Sequence, residues 1–84
     1  MKKYLVTYDL NGIWQNYTNL WNAIESYSNV KVMKSLYFIN TYKNSSEIYE
    51  HLKTYINDDD YLFISEININ NNGWIIKEWW NFLD

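Results

Sequence analysis

Tyr4-Leu5-Val6-Thr7-Tyr8-Asp9-Leu10-Asn11-Gly12 runs into a stretch of different rhythm, and this change of period decides the fold. Tyr4 to Tyr8 is apolar, β-branched and aromatic, and it stops at a polar turn where Gly12 is free to take a positive φ. That is the pattern of a strand. From Trp14 the spacing changes. Tyr17, Leu20, Trp21, Ile24 and Tyr27 recur at three- and four-residue intervals, the stripe of an amphipathic helix, with Ser28-Asn29 expected to end it.

Working outward, Val30 to Tyr42 is the longest strand-like stretch. Val32, Leu36 and Phe38 share one parity, while Met33, Tyr37 and Ile39 share the other. A strand apolar on both faces is covered on both sides. One long bent strand and a hairpin about Lys34-Ser35 both satisfy this pattern. Asn44-Ser45-Ser46-Glu47 then reads as a helix start, with a capping side chain and an acid in the first turn. Ile48, Leu52, Tyr55 and Ile56 carry its stripe. Asn57-Asp58-Asp59-Asp60 is a polar connection, Tyr61 to Ile69 a third strand region, and Asn70-Asn71-Asn72-Gly73 a turn. Trp74 to Leu83, with Ile75, Trp79 and Phe82 in register, predicts a short C-terminal helix.

The order is β-α-β(β)-α-β-α. It predicts an α+β chain of one domain, residues 1–84, with a ferredoxin-like split βαβ sheet (β-α-β-β-α-β) and a short C-terminal helix. The helices cover one face of the sheet. The other face is also apolar, and a second copy of the chain would cover it, so a homodimer through the sheet is expected.

Composition bounds the function. The 84 residues contain no cysteine and no proline, so a small core must hold the fold without disulfides or a cysteine metal site. Nine tyrosines and five tryptophans make that feasible, since each buries about 150–250 Å². The net charge is −3, and all seven basic residues are lysines. A duplex-binding domain is strongly basic and uses arginine to grip phosphate and guanine, so bulk charge argues against one. Asn, Ile, Lys and Tyr have AT-rich codons, so a low-GC genome accounts for the asparagines and the lysine bias, but not for the tryptophans. Asp9 is reached before any long apolar run, and no stretch approaches the roughly 20 apolar residues of a membrane span. A cytoplasmic protein without a membrane partner is expected.

Lys3-Tyr4-Leu5-Val6-Thr7-Tyr8-Asp9-Leu10, then Asn16 to Ile24, then Lys34-Ser35-Leu36-Tyr37-Phe38-Ile39, resembles the small Cas2-like proteins, closest to the group called SinR-like. Asn72-Gly73-Trp74 and the tryptophan-rich tail are similar to that group as well. The resemblance implies a ferredoxin-like fold, a homodimer and a link to CRISPR adaptation and mobile elements. It also implies that Asp9 lies near the dimer axis and can bind a divalent metal, and it places Ser35 at the serine of the Cas2 pattern. One departure stands out. The basic segment that follows the first strand in Cas2 proteins is here Asn11-Gly12-Ile13-Trp14-Gln15-Asn16, without charge.

Each candidate residue has a functional and a plainer reading. Two copies of Asp9 across a dimer axis would hold Mg²⁺ and activate water for phosphodiester cleavage. The plainer reading makes Asp9 a turn residue accepting backbone N–H bonds from Asn11-Gly12. Ser35 reads as a phosphate contact or as a strand bend, and the bend suffices. His51, the one imidazole, reads as a helix-surface residue without a second catalytic partner. Lys31, Lys34 and Lys43 with Tyr37 form a possible groove for single-stranded nucleic acid, against scattered solvated lysines. Asp58, Asp59 and Asp60 lack the ligand pattern of a calcium loop and read as a solvated acidic turn that can border a partner surface. In the tail, Trp79 is expected inward and Trp80, about 100° round the helix, outward, so that Trp74 and Trp80 serve as anchors for a protein partner; the plainer reading has the tail wrap the sheet edge and bury all three tryptophans.

The absent arginine and the lack of a catalytic constellation weigh against an enzyme. The expected function is a non-enzymatic Cas2-like binding module, an adaptor or inhibitor from a mobile element or phage. It would engage a nucleic-acid-handling protein, defence-related, through an acidic and aromatic surface, without a cofactor. The alternative is a Mg-dependent endonuclease or nucleic-acid-binding protein acting through paired Asp9.

Overall fold

The computed structural model describes residues 1–12, 16–68 and 70–83, so Trp14 and Ile69 of the expected elements lie outside it. The elements run β1 (Lys2–Asp9), α1 (Thr18–Glu25), β2 (Ser28–Met33), β3 (Leu36–Thr41), α2 (Ser45–Leu52), β4 (Tyr61–Glu66) and α3 (Lys77–Phe82). A 3₁₀ turn, Lys53–Tyr55, extends α2. The four strands form one antiparallel sheet in the order β2-β3-β1-β4. Order and connectivity together are those of a ferredoxin-like fold.

Alternation along β1 explains the sheet's two faces. Tyr4, Val6 and Tyr8 are buried, while Leu5 and Thr7 between them point the other way. Val6 pairs with Tyr37 on one side and Ile64 on the other, so the same face gathers Ile39 and Ile64. Leu20, Ala23 and Ile24 of α1 and Ile48 and Leu52 of α2 close over it. The predicted start of α2 is realised in full. Asn44 Oδ1 accepts the Glu47 N–H at 2.9 Å, and Glu47 Oε1 accepts the Asn44 N–H at 3.0 Å. Such a capping box satisfies two backbone donors that the first turn leaves unpaired.

The open question between Val30 and Tyr42 resolves into two strands. They turn at Lys34-Ser35, and a register shift between Lys31 and Met33 bends β2. Ser28 and Asn29 do not end α1 but begin β2. The helix stops at Glu25, where side chains take over its last carbonyls: Ser26 Oγ donates to Ala23 O, and Asn29 Nδ2 to Glu25 O. Tyr27, last in the predicted stripe, sits beyond the helix yet still packs on the core.

β4 is shorter than expected, ending at Glu66 with one further bond from Ile67 N–H to Lys3 O. The C-terminal helix is also shorter, Lys77–Phe82 within the predicted Trp74 to Leu83. The chain after β4 returns across the second face of the sheet, where Ile75, Trp80 and Leu83 oppose Leu5, Leu36 and Phe38. The chain itself therefore covers part of the face for which a second copy was expected. No helix of the described residues is long and apolar enough to cross a membrane.

Candidate functional site

What the tail leaves uncovered is the Asp9 end of that face. Asp9, the last residue of β1, is exposed and pairs with Tyr61, while Thr7 pairs with Phe63. Tyr61 and Phe63 occupy alternate positions of β4 on the face away from the helices, and they stand 68% and 63% exposed. With Thr7 and Asp9 they line a shallow hollow of about 380 Å³. The turn Asn57 to Asp60 leads directly into Tyr61, so the exposed acids Asp58 and Asp59 stand at the same end of the sheet as Asp9, which pairs with Tyr61.

Asp60 belongs to the interior. It is 7% exposed, and its carboxylate accepts the Asn11 N–H (2.8 Å), the Asn57 N–H (2.9 Å) and the Tyr17 hydroxyl (2.8 Å). The Tyr17 oxygen in turn accepts the Gly12 N–H at 3.0 Å. Burial alone would push the Asp60 carboxyl up. The hydrogen bonds donated by Asn11, Asn57 and Tyr17 outweigh burial and hold it below its ordinary value. This corrects the acidic surface expected from Asp58 to Asp60, because Asp60 ties the β1–α1 turn to the start of β4. It also corrects the plainer reading of Asp9. Among the described residues the carboxylate that holds the Asn11-Gly12 turn is Asp60, and the Asp9 carboxylate makes no hydrogen bond or ion pair.

The expected nucleic-acid groove does not assemble. Tyr37 is 3% exposed, so it presents no face for a base. Its hydroxyl donates to Glu25 Oε2 at 2.7 Å, and burial first, then this bond, raise its pKa far above the ordinary range. Lys31 lies on the helix side, its ammonium 5.8 Å from the Trp21 ring centre and 5.9 Å from that of Tyr37. Lys34 sits in the hairpin turn. Lys43 follows the far end of β3, over Tyr27 at 5.4 Å. Six residues of β3 put about 20 Å between Lys34 and Lys43.

Ser35 acts through its backbone, its carbonyl accepting the Thr7 hydroxyl at 2.8 Å and the Tyr8 N–H at 3.3 Å. This is the strand-bend role. His51 bonds the Tyr27 hydroxyl through Nδ1 at 2.7 Å and packs edge-on against Tyr27 and Tyr55, which fixes α2 to the segment after α1. Among the described residues no group of three or more His, Cys, Asp or Glu could hold a metal.

Of the two tryptophans expected outward, one is exposed and the other is not. Trp74 is fully exposed beside Met33 and Ile76 at the β2 edge, across the sheet from Tyr61 and Phe63. Trp80 is half-buried over the second face because the tail crosses the sheet instead of standing off it, with its six-membered ring against Gly73. Tyr61 and Phe63 were not singled out from sequence. The signal was the alternation Tyr61, Phe63, Ser65, which puts every second residue of β4 on the face away from the helices.

No family model matches the chain, and no curated protein matches it. Among solved structures, the crystal structure of a hypothetical protein from Thermus thermophilus is similar to it. The TM-score is 0.66 over 89% of this chain and 94% of that one, at 18% identity. At this identity the likeness shows the fold.

Proposed function

We propose that this protein is a non-catalytic binding module whose acidic and aromatic patch seats a protein partner. The observation that carries the reading is the pair Tyr61 and Phe63, exposed on an edge strand beside Asp9, Asp58 and Asp59. Exposed aromatics rimmed by charge are the usual composition of an interface anchor. The carboxylates select a basic partner, and a protein that handles nucleic acid presents such a surface. The setting in a mobile element, and a Cas2-like role as adaptor or inhibitor, rest on the sequence resemblance.

The test is to immobilise the chain, pass host-cell extract over it, purify the retained protein and measure its affinity by calorimetry. The reading expects a basic protein that binds the native chain and loses affinity at least tenfold when Tyr61→Ala and Phe63→Ala are combined. Equal affinity for that variant overturns it.

A second reading is favoured by Asp9, whose exposed carboxylate is uncommitted among the described residues. In a homodimer built through the uncovered strip, two such carboxylates near the axis would share Mg²⁺ and activate water. This reading expects a dimer of the 10.3 kDa chain in solution and metal-dependent cleavage of RNA or DNA. Asp9→Ala would abolish that cleavage without changing the mass.

A further inference from the structure

The tail encloses two adjoining hollows at the other end of the second face. The inner one, about 210 Å³, lies between Leu5 and Phe38 of the sheet and Ile75, Trp80 and Leu83 of the tail. The outer one, about 520 Å³, opens beside the start of β1, with Lys2 and Lys3 in its wall. Ile67, Asn71, Trp80 and Leu83 line both, so the two share a partition.

We propose that the two hollows form one binding site for a small amphiphilic anion, a medium-chain carboxylate. Its apolar chain occupies the inner hollow, and its carboxylate meets Lys3, which alternation along β1 puts on the same face as Leu5. Three observations support the assignment. The inner wall is largely apolar, with Asn71 and Asn72 its polar members, and apolar cavities of about 150 Å³ stay dry and accept a six-carbon ring. In proportion, the inner hollow holds about eight carbons. Lys3 is in no ion pair among the described residues, and the other charged side chains of the described wall, Lys2 and Glu66, stand opposite Thr41 and Tyr4 on the helix face. A chain of net charge −3 therefore presents a lysine at the mouth of an apolar hollow. A ligand with an apolar body and one negative head matches both parts, and neither a neutral nor a cationic amphiphile does.

Gly73 supplies a way to close the site. A Cβ built there meets Trp80 at 3.9 Å, ordinary contact, so a longer side chain can enter the inner hollow without striking backbone. The experiment titrates octanoate into the ¹⁵N-labelled chain, with octan-1-ol and octylamine in parallel. The proposal expects saturable shifts confined to Leu5, Phe38, Ile75 and the Trp80 indole, with affinity in the millimolar range or better. Lys3→Gln weakens octanoate about fivefold or more and leaves octan-1-ol unchanged. Gly73→Leu abolishes octanoate binding while its spectrum stays dispersed. Should Gly73→Leu fail to fold, Lys3→Gln alone decides, because its side chain lies at the rim. Octylamine or octan-1-ol binding as tightly as octanoate, shifts scattered over the surface, or no saturation by about 10 mM overturns the proposal.

Discussion

Replacing Asp60 by alanine should unfold this protein far more readily than replacing Asp58 or Asp59. The Asp60 carboxylate holds the Asn11 N–H, the Asn57 N–H and the Tyr17 hydroxyl within 3.0 Å. Removing it strands three donors at a site that water reaches only partly. A net bond to a charged acceptor is worth about 1.5–3 kcal/mol in full burial. Discounting for partial hydration gives about 1 kcal/mol each, or about 3 kcal/mol in all. For a chain of this size that lowers the melting midpoint by about 12 °C or more. The assay is urea and thermal unfolding followed by circular dichroism at neutral pH. Asp60→Asn, which keeps one acceptor oxygen, should lose less than alanine.

The pH dependence supplies an independent check. Because folding lowers the Asp60 pKa, its contribution is fully present above the ordinary value of 3.8 and is lost as pH falls through the lower folded value. The native and Asp60→Ala curves should therefore converge in acid. If Asp60→Ala falls within 0.5 kcal/mol of the native chain, the range of a neutral surface substitution, the carboxylate belongs to the surface and the reasoning fails.

Asn44→Ala removes the side-chain acceptor of the Glu47 N–H and should cost about 1 kcal/mol in urea unfolding, with Glu47→Ala, which removes the acceptor of the Asn44 N–H, costing less. Tyr37, with its hydroxyl held by Glu25 in the core, should titrate last of the nine tyrosines in an absorbance titration. Its pKa is raised by folding, so its contribution is intact below about pH 10 and is lost above it, and thermal stability should fall steeply in strong alkali. Trp80→Ala should destabilise the chain by about 2 kcal/mol, because it uncovers Leu5 and Phe38, whereas Trp74→Ala should stay within about 0.5 kcal/mol. The two differ by six positions and have opposite surroundings, so calorimetric melting separates them directly.

Local pattern carried much of this architecture. The strand through Tyr4 to Tyr8, the stripe Leu20, Trp21 and Ile24, and the cap at Asn44 could be read because each depends on neighbours a few positions away. Features set by distant pairing could not. Asp58, Asp59 and Asp60 look alike in the chain, and only the approach of Asn11 and Tyr17 makes the third one internal. Tyr37 is amphipathic and fits a core or a groove equally well, until register places it opposite Val6 under Glu25. Trp74 stays outward while Trp80 turns onto the sheet because the tail crosses it, which helical phase alone does not express. The patch at Tyr61 and Phe63 appeared only when strand order left β4 at an edge.

The central claim is that this edge, and not a catalytic centre, is where the protein acts. The most direct measurement is the affinity of the purified partner for the native chain and for a variant combining Tyr61→Ala, Phe63→Ala, Asp58→Lys and Asp59→Lys, with folding verified by circular dichroism. The account predicts a well-folded variant whose affinity has collapsed by two orders of magnitude or more, about 2.8 kcal/mol. A folded variant that binds the partner as tightly as the native chain would contradict it.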